Sequence, residues 1–487
     1  MANPKTEYQN HPFWIQKDQK PIKMKKSVLL LTLCQLFSWY TDAQSLQAPK
    51  VDHRVELLSI VFRLAELREY NAEEFSLYTQ KIKTHFEPHK GHRLITFAKE
   101  LRKTNHIGFD AVMSMAVQLD KNLDPRIEFS EKLPDERWDK ENANTFVSLL
   151  KAFYIDADCE TFFNENKALY TAIEARFSAL YDQIDLNWYK AFYGSDSKEK
   201  FIIVPGLGNG RQNYGPAVQE PNKQREVYAI VGSWKTDDSG IVIFPKEIYL
   251  HTLIHEFCHS FVNHLIDKNK KALQESGEKL FQPVKEIMRQ QNYGHWTTLL
   301  YESMVRASVI KYMKDHHYSE EVVQKEINEQ LSLGYLWIED LLLDFEAYDL
   351  QRSTYPTLEE YMPRLIEAFQ TYTQKIGAYT KKIDAQRPKI LSISEFANYD
   401  QNVPSQLKKV TINFNKPVRK GVSINKGKPN EAFPNFKDHA LSADKKSLTL
   451  TWSLEPNKAY GFILTGIAIK SEEGFPIKDY PISFHTE

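Results

Sequence analysis

His255-Glu256-Phe257-Cys258-His259 sets two imidazoles four residues apart, with a carboxylate beside the first. Positions i and i+4 share one face of a helix, so both rings can reach a single ion. Glu256 lies next to them, where it can hold a water rather than the metal. A catalytic zinc with three protein ligands keeps one position open, lowers the pKa of a water there and polarises a carbonyl. The carboxylate then accepts the proton. The spacing therefore points to hydrolysis by metal-activated water. It calls for one Zn2+ per chain as cofactor, with Glu256 as general base.

A third ligand must come from another element, and Glu302 is the candidate. It lies among apolar neighbours in Trp296–Ala307, a segment of helical spacing. Arg306 follows one turn later and can pair with it; the ordinary reading of such a pair is a surface ion pair. A donor to the developing oxyanion is also needed. Tyr355 is the candidate for that catalytic role, ahead of Tyr335, Tyr301 and His295. Asn263 lies one turn past His259, where it either orients that ring or packs as an ordinary helix amide. His264 falls on a different face.

These residues need buried, well-fixed elements. Leu253, Ile254, Phe257, Phe261, Val262, Leu265 and Ile266 make the segment from about 247 to 267 a helix that is apolar on several sides, hence buried. Burying two histidines and a glutamate without a partner is costly. A shared metal removes that cost; a hydrogen-bonded pair of core histidines is the plainer alternative. Helical spacing also covers most of 51–193 and recurs at about 272–290, 296–315, 319–347 and 357–385. Phe201–Val204 reads as a strand. Val227–Val231 and Ile241–Phe244 flank the polar run Thr236–Gly240 and read as two strands joined by a turn. Either strand is a candidate edge for an extended substrate. Gly206-Leu207-Gly208-Asn209-Gly210-Arg211 matches no phosphate-binding loop and reads as a mobile loop over the cleft. Past Arg387-Pro388 the helical period stops. Val410, Ile412 and Phe414 alternate with polar neighbours, as do Leu448, Leu450 and Trp452. This is the pattern of a β-sandwich.

The 487 residues suggest two domains. Sixty-three basic residues against sixty-four acidic ones give no electrostatic case for nucleic acid or an anionic membrane. Met24-Lys25-Lys26, the apolar run Val28–Cys34 and Ala43 before Gln44 have the order of a secretory signal peptide, too short for a stable membrane span. Residues 1–43 are thus an N-terminal extension and signal, with Met24 as the expected start. The chain is expected to be exported, to the periplasm, the cell surface or the medium, and to act as a monomer on a peptide or protein substrate. Cys159 and Cys258 remain beyond Cys34. A bridge between them is possible, but buried free thiols are the expectation.

The H-E-x-x-H helix, the strands before it and a glutamate on a later helix resemble a gluzincin-type zinc metallopeptidase. The sequence is also similar to a family of secreted bacterial proteins known only as a domain of unknown function. The similar stretches are Val51–Leu58, His255–Asn263, Tyr301–Ala307 and Tyr355–Leu358. This likeness covers about residues 50–385. The tail, 388–487, resembles a bacterial Ig-like module, most clearly at Val410–Val418. The resemblance implies His255, His259 and Glu302 as metal ligands and Glu256 as base. One departure is plain. Thermolysin-like enzymes have Asn before the ligand Glu and Ser-Asp after it; here Tyr301 precedes Glu302, and Ser303 is followed by Met304. The expected fold is α+β. A mainly helical, zincin-like metalloprotease domain with a small β-sheet (50–385) is followed by an all-β, Ig-like sandwich (388–487). The competing reading is a noncatalytic cell-surface binding protein whose metal is structural or vestigial. A fourth protein ligand, such as Cys258 or His264, would mark it. A third reading keeps the chemistry and makes cell-wall peptides the substrate.

Overall fold

Asp52 opens the first helix, His53–Leu64, by accepting from the Arg54 N–H. Every residue from Val55 to Leu64 is buried, so this helix is a central strut rather than a surface layer. Further helices follow it as far as Tyr193. A computed structural model describes residues 48–197, 199–291 and 293–487. The signal-like segment and Cys34 lie outside those residues.

The chain then forms a small mixed sheet of β1 (Glu199–Gly206), β2 (Ala217–Val218) and β3 (Arg225–Gly232). Its order is β1-β3-β2. β1 runs parallel to β3 and β2 runs antiparallel to it. The expected pairing of Val227–Val231 with Ile241–Phe244 is corrected. Only the single bridge Thr236↔Val242 forms there. Arg176 Nη1 takes the carbonyls of Ile241 and Val242, and Asp237 Oδ1 accepts from the Ser239 and Ile241 N–H groups. Those backbone groups are thus spent on a tight turn and a side chain instead of a ladder.

The helix that carries the histidines runs Lys246–Lys268, and the one that carries Glu302 runs Trp296–Asp315. They pack directly on each other. Two expected helices are broken. The segment 272–290 becomes Lys270–Phe281, a 3-10 turn at Gln282–Val284 and Lys285–Gln290. Pro283 sits at that turn because it lacks an N–H and its ring crowds the preceding turn. The segment 319–347 divides into Glu320–Ser332 and Ile338–Leu350, with Gly334 between them at φ +102, a conformation that favours glycine. The long helix Leu358–Gln386 ends the helical region.

Seven strands follow: β4 (Ile390–Ile393), β5 (Lys409–Phe414), β6 (Ile424–Lys426), β7 (Asn435–Leu441), β8 (Ser447–Ser453), β9 (Ala459–Leu464) and β10 (Tyr480–His485). They form two antiparallel sheets, β4-β5-β8-β7 and β10-β9-β6. Val410, Ile412, Leu450, Trp452, Phe462 and Phe484 belong to one core shared by both sheets. A separate, larger core takes in residues from Val51 to Ile383, and Phe475 of the tail packs with it. The protein is therefore mixed α+β, with extensive helix and small sheets. No helix among the described residues is long and apolar enough to cross a membrane.

The glycine-rich stretch is not a lid, contrary to expectation. Residues 206–210 are all buried. The Leu207 N–H donates to Glu56 Oε1 at 2.7 Å, and Ser59 Oγ donates to Asn209 Oδ1 at 2.9 Å. Both anchors stand on the buried first helix, nearly one turn apart. The contact is so close that a Cβ on Gly208 would lie 2.6 Å from Ser59 Cβ. This fixes the course of the chain into its next segment, which borders the site. Gly208→Ala is therefore expected to cost about 1–3 kcal/mol. In urea unfolding this reads as a lower midpoint with an unchanged slope.

Candidate metal centre

The Lys246–Lys268 helix is held by aromatic packing on one side only. Phe257 meets Tyr189 and Phe201 at ring separations of 4.5 and 4.9 Å, and Phe261 stacks on Tyr193 at 4.6 Å. Turning by about 100° per residue, the helix puts His255 and His259 on the opposite side. There they are partly exposed, at 14% and 19% of their side-chain surface. The Trp296–Asp315 helix is buried nearly all round. It carries small residues at Ser303, Ala307 and Ser308, and both serines bond back to their own helix. Glu302 is 5% exposed.

The two helices bring the three side chains together. His255 Nε2 and His259 Nε2 are 3.2 Å apart. Glu302 Oε2 is 3.5 Å from His255 Nε2, and Glu302 Oε1 is 3.4 Å from His259 Nε2. Two ligands of a tetrahedral zinc are about 3.3 Å apart, given bonds of about 2.05 Å. These spacings suit such an ion, with Glu302 turning a different oxygen to each ring. Among the described residues no other His, Cys, Asp or Glu joins this set. Asn263 takes the orienting role: its Oδ1 lies 3.0 Å from His259 Nδ1, which turns Nε2 toward the triangle.

Burial, helped by His259, Arg306 and His251 and opposed by Glu302, drives His255 well below its ordinary pKa. Burial acts the same way on His259, but Glu302 outweighs it and raises His259 to about 9. Glu302 is held below the usual carboxylate range: burial opposes this, while His255, His259 and Arg306 override it. Glu256 is raised by burial, partly offset by His259.

The expected Glu302–Arg306 pair forms, but inside the protein rather than on its surface. Arg306 Nε and Nη2 each lie 2.9 Å from Glu302 Oε2. Tyr335 is fully buried, with its ring 4.6 Å from the Arg306 guanidinium, so it supports the arginine. Tyr301 donates to Asp267, and His295 caps its own helix through the Thr297 N–H. Among the described residues no contact joins Tyr355, the expected oxyanion donor, to the ligand candidates. Its hydroxyl accepts from Arg364 Nε at 3.3 Å, and its ring meets Tyr361. The next residue, Pro356, presses its carbonyl against Gly194, just after Tyr193.

Sequence reasoning missed Tyr293. Burial and Glu302 raise its hydroxyl to about 12, and Arg306 and Glu256 also act on it. It lies just before the Trp296–Asp315 helix, with no periodic pattern to single it out. The candidate substrate edge also moves. Val227–Val231 lies in the central strand, so its backbone groups are already paired. The outer edge is 214–218. There Tyr214 and Ile230 exchange hydrogen bonds of 2.9 Å, and the Tyr228 N–H donates to Pro216 O. A Cβ on Gly215 would lie 3.5 Å from Glu256 Oε2. Cys159 and Cys258 are free and buried; burial pushes each thiol up to about 12. Cys258 does not join the group of ligand atoms around the histidines and Glu302.

Two outcomes follow from this geometry. Asn263→Ala should weaken zinc binding about 10–100-fold, measured by competition with a chromophoric chelator. Zinc binding should also release a proton. His259 keeps its proton up to about 9 in the metal-free protein, so apparent affinity should rise with pH until about 9. Calorimetry in buffers of different ionisation enthalpy reads this directly.

No curated protein matches the chain. Among solved structures it is similar to the N-terminal part of the bacterial S-layer protein SbsC. That match has 16% identity and a TM-score of 0.16, and covers 49% of this chain and 58% of that one. A longer form, rSbsC(31-844), matches at 14% identity and a TM-score of 0.17, over 81% and 46% of the two chains. This chain thus spans roughly half the length of those proteins, and at these TM-scores the likeness carries no argument about fold or role. A family profile matches residues 23–368, which takes in all three ligand candidates and Glu256. The chain belongs to the family described as a domain of unknown function, DUF4932.

Proposed function

We propose that this protein is an exported zinc-dependent hydrolase that cleaves peptide bonds. One observation carries the reading: a His255–His259–Glu302 triangle with edges of 3.2–3.5 Å, next in sequence to a carboxylate that is not one of its members. Zinc bound there would acidify a water and polarise a carbonyl. Glu256 would take the proton from that water and hand it to the leaving nitrogen. Burial raises its pKa, which makes it a better base than an exposed glutamate. Tyr293 keeps its phenol proton up to about 12 and can donate to a developing oxyanion. The 214–218 edge beside Glu256 offers an extended chain a strand to pair with, and this favours a peptide over a compact substrate.

The finer architectural readings belong to the same proposal. The helical region is read as zincin-like and the two tail sheets as an Ig-like module. Export rests on the signal-like segment Met24–Ala43. The competing noncatalytic reading has a structural or vestigial metal. A structural site would close with a fourth ligand such as Cys258 or His264, and neither joins the His255–His259–Glu302 group.

Incubation with a mixed peptide library, with and without chelator, tests the function. Glu256→Gln should retain one zinc per chain and lose about 10²–10⁴-fold in cleavage rate. Cleavage by that variant at the wild-type rate would sink the mechanism. Full zinc loading with no peptide cut would favour the binding-protein reading.

A further inference from the structure

The two oxygens of Glu302 are used differently. Oε2 receives both Nε and Nη2 of Arg306, each at 2.9 Å. Oε2 also faces His255 Nε2 at 3.5 Å, while Oε1, which Arg306 leaves free, lies 3.4 Å from His259 Nε2. A guanidinium usually spreads its fork over both oxygens of a carboxylate; here both contacts fall on one. Arg306 is itself braced. Its Nη1 donates to Gln330 Oε1 at 2.7 Å, and Gln330 Nε2 donates to Glu326 Oε1 at 2.5 Å. Glu326 Oε1 then lies 3.1 Å from His251 Nε2. His251 stands one turn before His255 on the histidine helix. The chain of contacts therefore leaves that helix through the ligands, passes through Arg306 and the Glu320–Ser332 helix, and returns to where it started.

We infer that Arg306 is a positioning residue that restricts Glu302 to ligation through a single oxygen, Oε1. This rests on the zinc reading above and deepens it. A carboxylate free at both oxygens can bind a metal through both, which would crowd the position a reacting water needs and raise the coordination number from four to five. With Oε2 committed to Arg306, three single-atom ligands remain and the fourth position stays available. The guanidinium also balances the charge of Glu302, so the ligand set donates less electron density than a lone carboxylate would. The plainer reading is a buried ion pair that only supports the fold. Coordination number separates the two, because a purely structural arginine would not alter it.

The test uses cobalt-substituted full-length protein and its visible d–d absorption, together with zinc affinity by chelator competition. Wild-type protein should give the intense band of four-coordinate cobalt. Arg306→Met should give the weaker band of a five-coordinate ion and a zinc affinity altered about 10–100-fold. Arg306→Lys, which restores the charge but not the fork, should fall between them. Gln330→Leu leaves Arg306 in place and should move the band the same way by less; it carries the test if Arg306→Met does not fold by circular dichroism. A folded Arg306→Met, or failing that Gln330→Leu, with wild-type spectrum and affinity would overturn the inference. Wild-type protein that takes up neither zinc nor cobalt would overturn it and the zinc reading together. Spectral changes as expected in a protein that cuts no peptide would support the role of Arg306 and reject only the peptidase reading.

Discussion

The separation between the Lys246–Lys268 and Trp296–Asp315 helices governs the rest of the site. The three donors come from these two helices, and the triangle keeps its 3.2–3.5 Å edges only while they stay in close contact. Packed helices lie about 8–10 Å apart, depending on the side chains between them. Ser303, Ala307 and Ser308 keep one partner narrow, and the rings of Tyr189, Tyr193 and Phe201 press the other from behind. A close-packed interior resists small displacements. The spacing is therefore set by the core and not by the ligands themselves.

Electrostatics then works inside that fixed space. A buried carboxylate is costly unless paired and hydrogen-bonded. Glu302 is paired on both sides, with the histidines and with Arg306. Glu256 lacks such a pairing and keeps a raised pKa. Two glutamates close to one helix face are thus driven in opposite directions by their surroundings. On the proposed zinc reading, such divergence would separate a ligand from a base. A second constraint reaches the site from the far side. Glu56 and Ser59 pin the 206–210 loop to the buried first helix, and the chain leaving that loop forms the edge beside Glu256.

Local pattern carries much of this architecture. The expected helices 247–267 and 296–315 match Lys246–Lys268 and Trp296–Asp315 closely, because long apolar periodicity is a strong local signal. The alternation at Val410–Phe414 and Leu448–Trp452 forms strands for the same reason. The failures lie where partners decide. Ile241–Phe244 has strand-like residues, yet Arg176 claims its carbonyls. Glycines 206, 208 and 210 suggest mobility, yet they permit close packing. Tyr355 has the right side chain for a donor, yet its hydroxyl meets Arg364.

The amino-acid order alone dictates that two histidines and a glutamate share one buried helix, since the 3.6-residue period and apolar neighbours are local properties. It also dictates that Glu302 lies on a second buried helix. Tertiary packing is what turns Glu302 toward the histidines, has one of its oxygens receive both contacts of Arg306, and brings Tyr293 within electrostatic reach of Glu302. Those are distances between residues far apart in the chain. They depend on how side chains fill the space between helices, and no periodicity in the sequence encodes that.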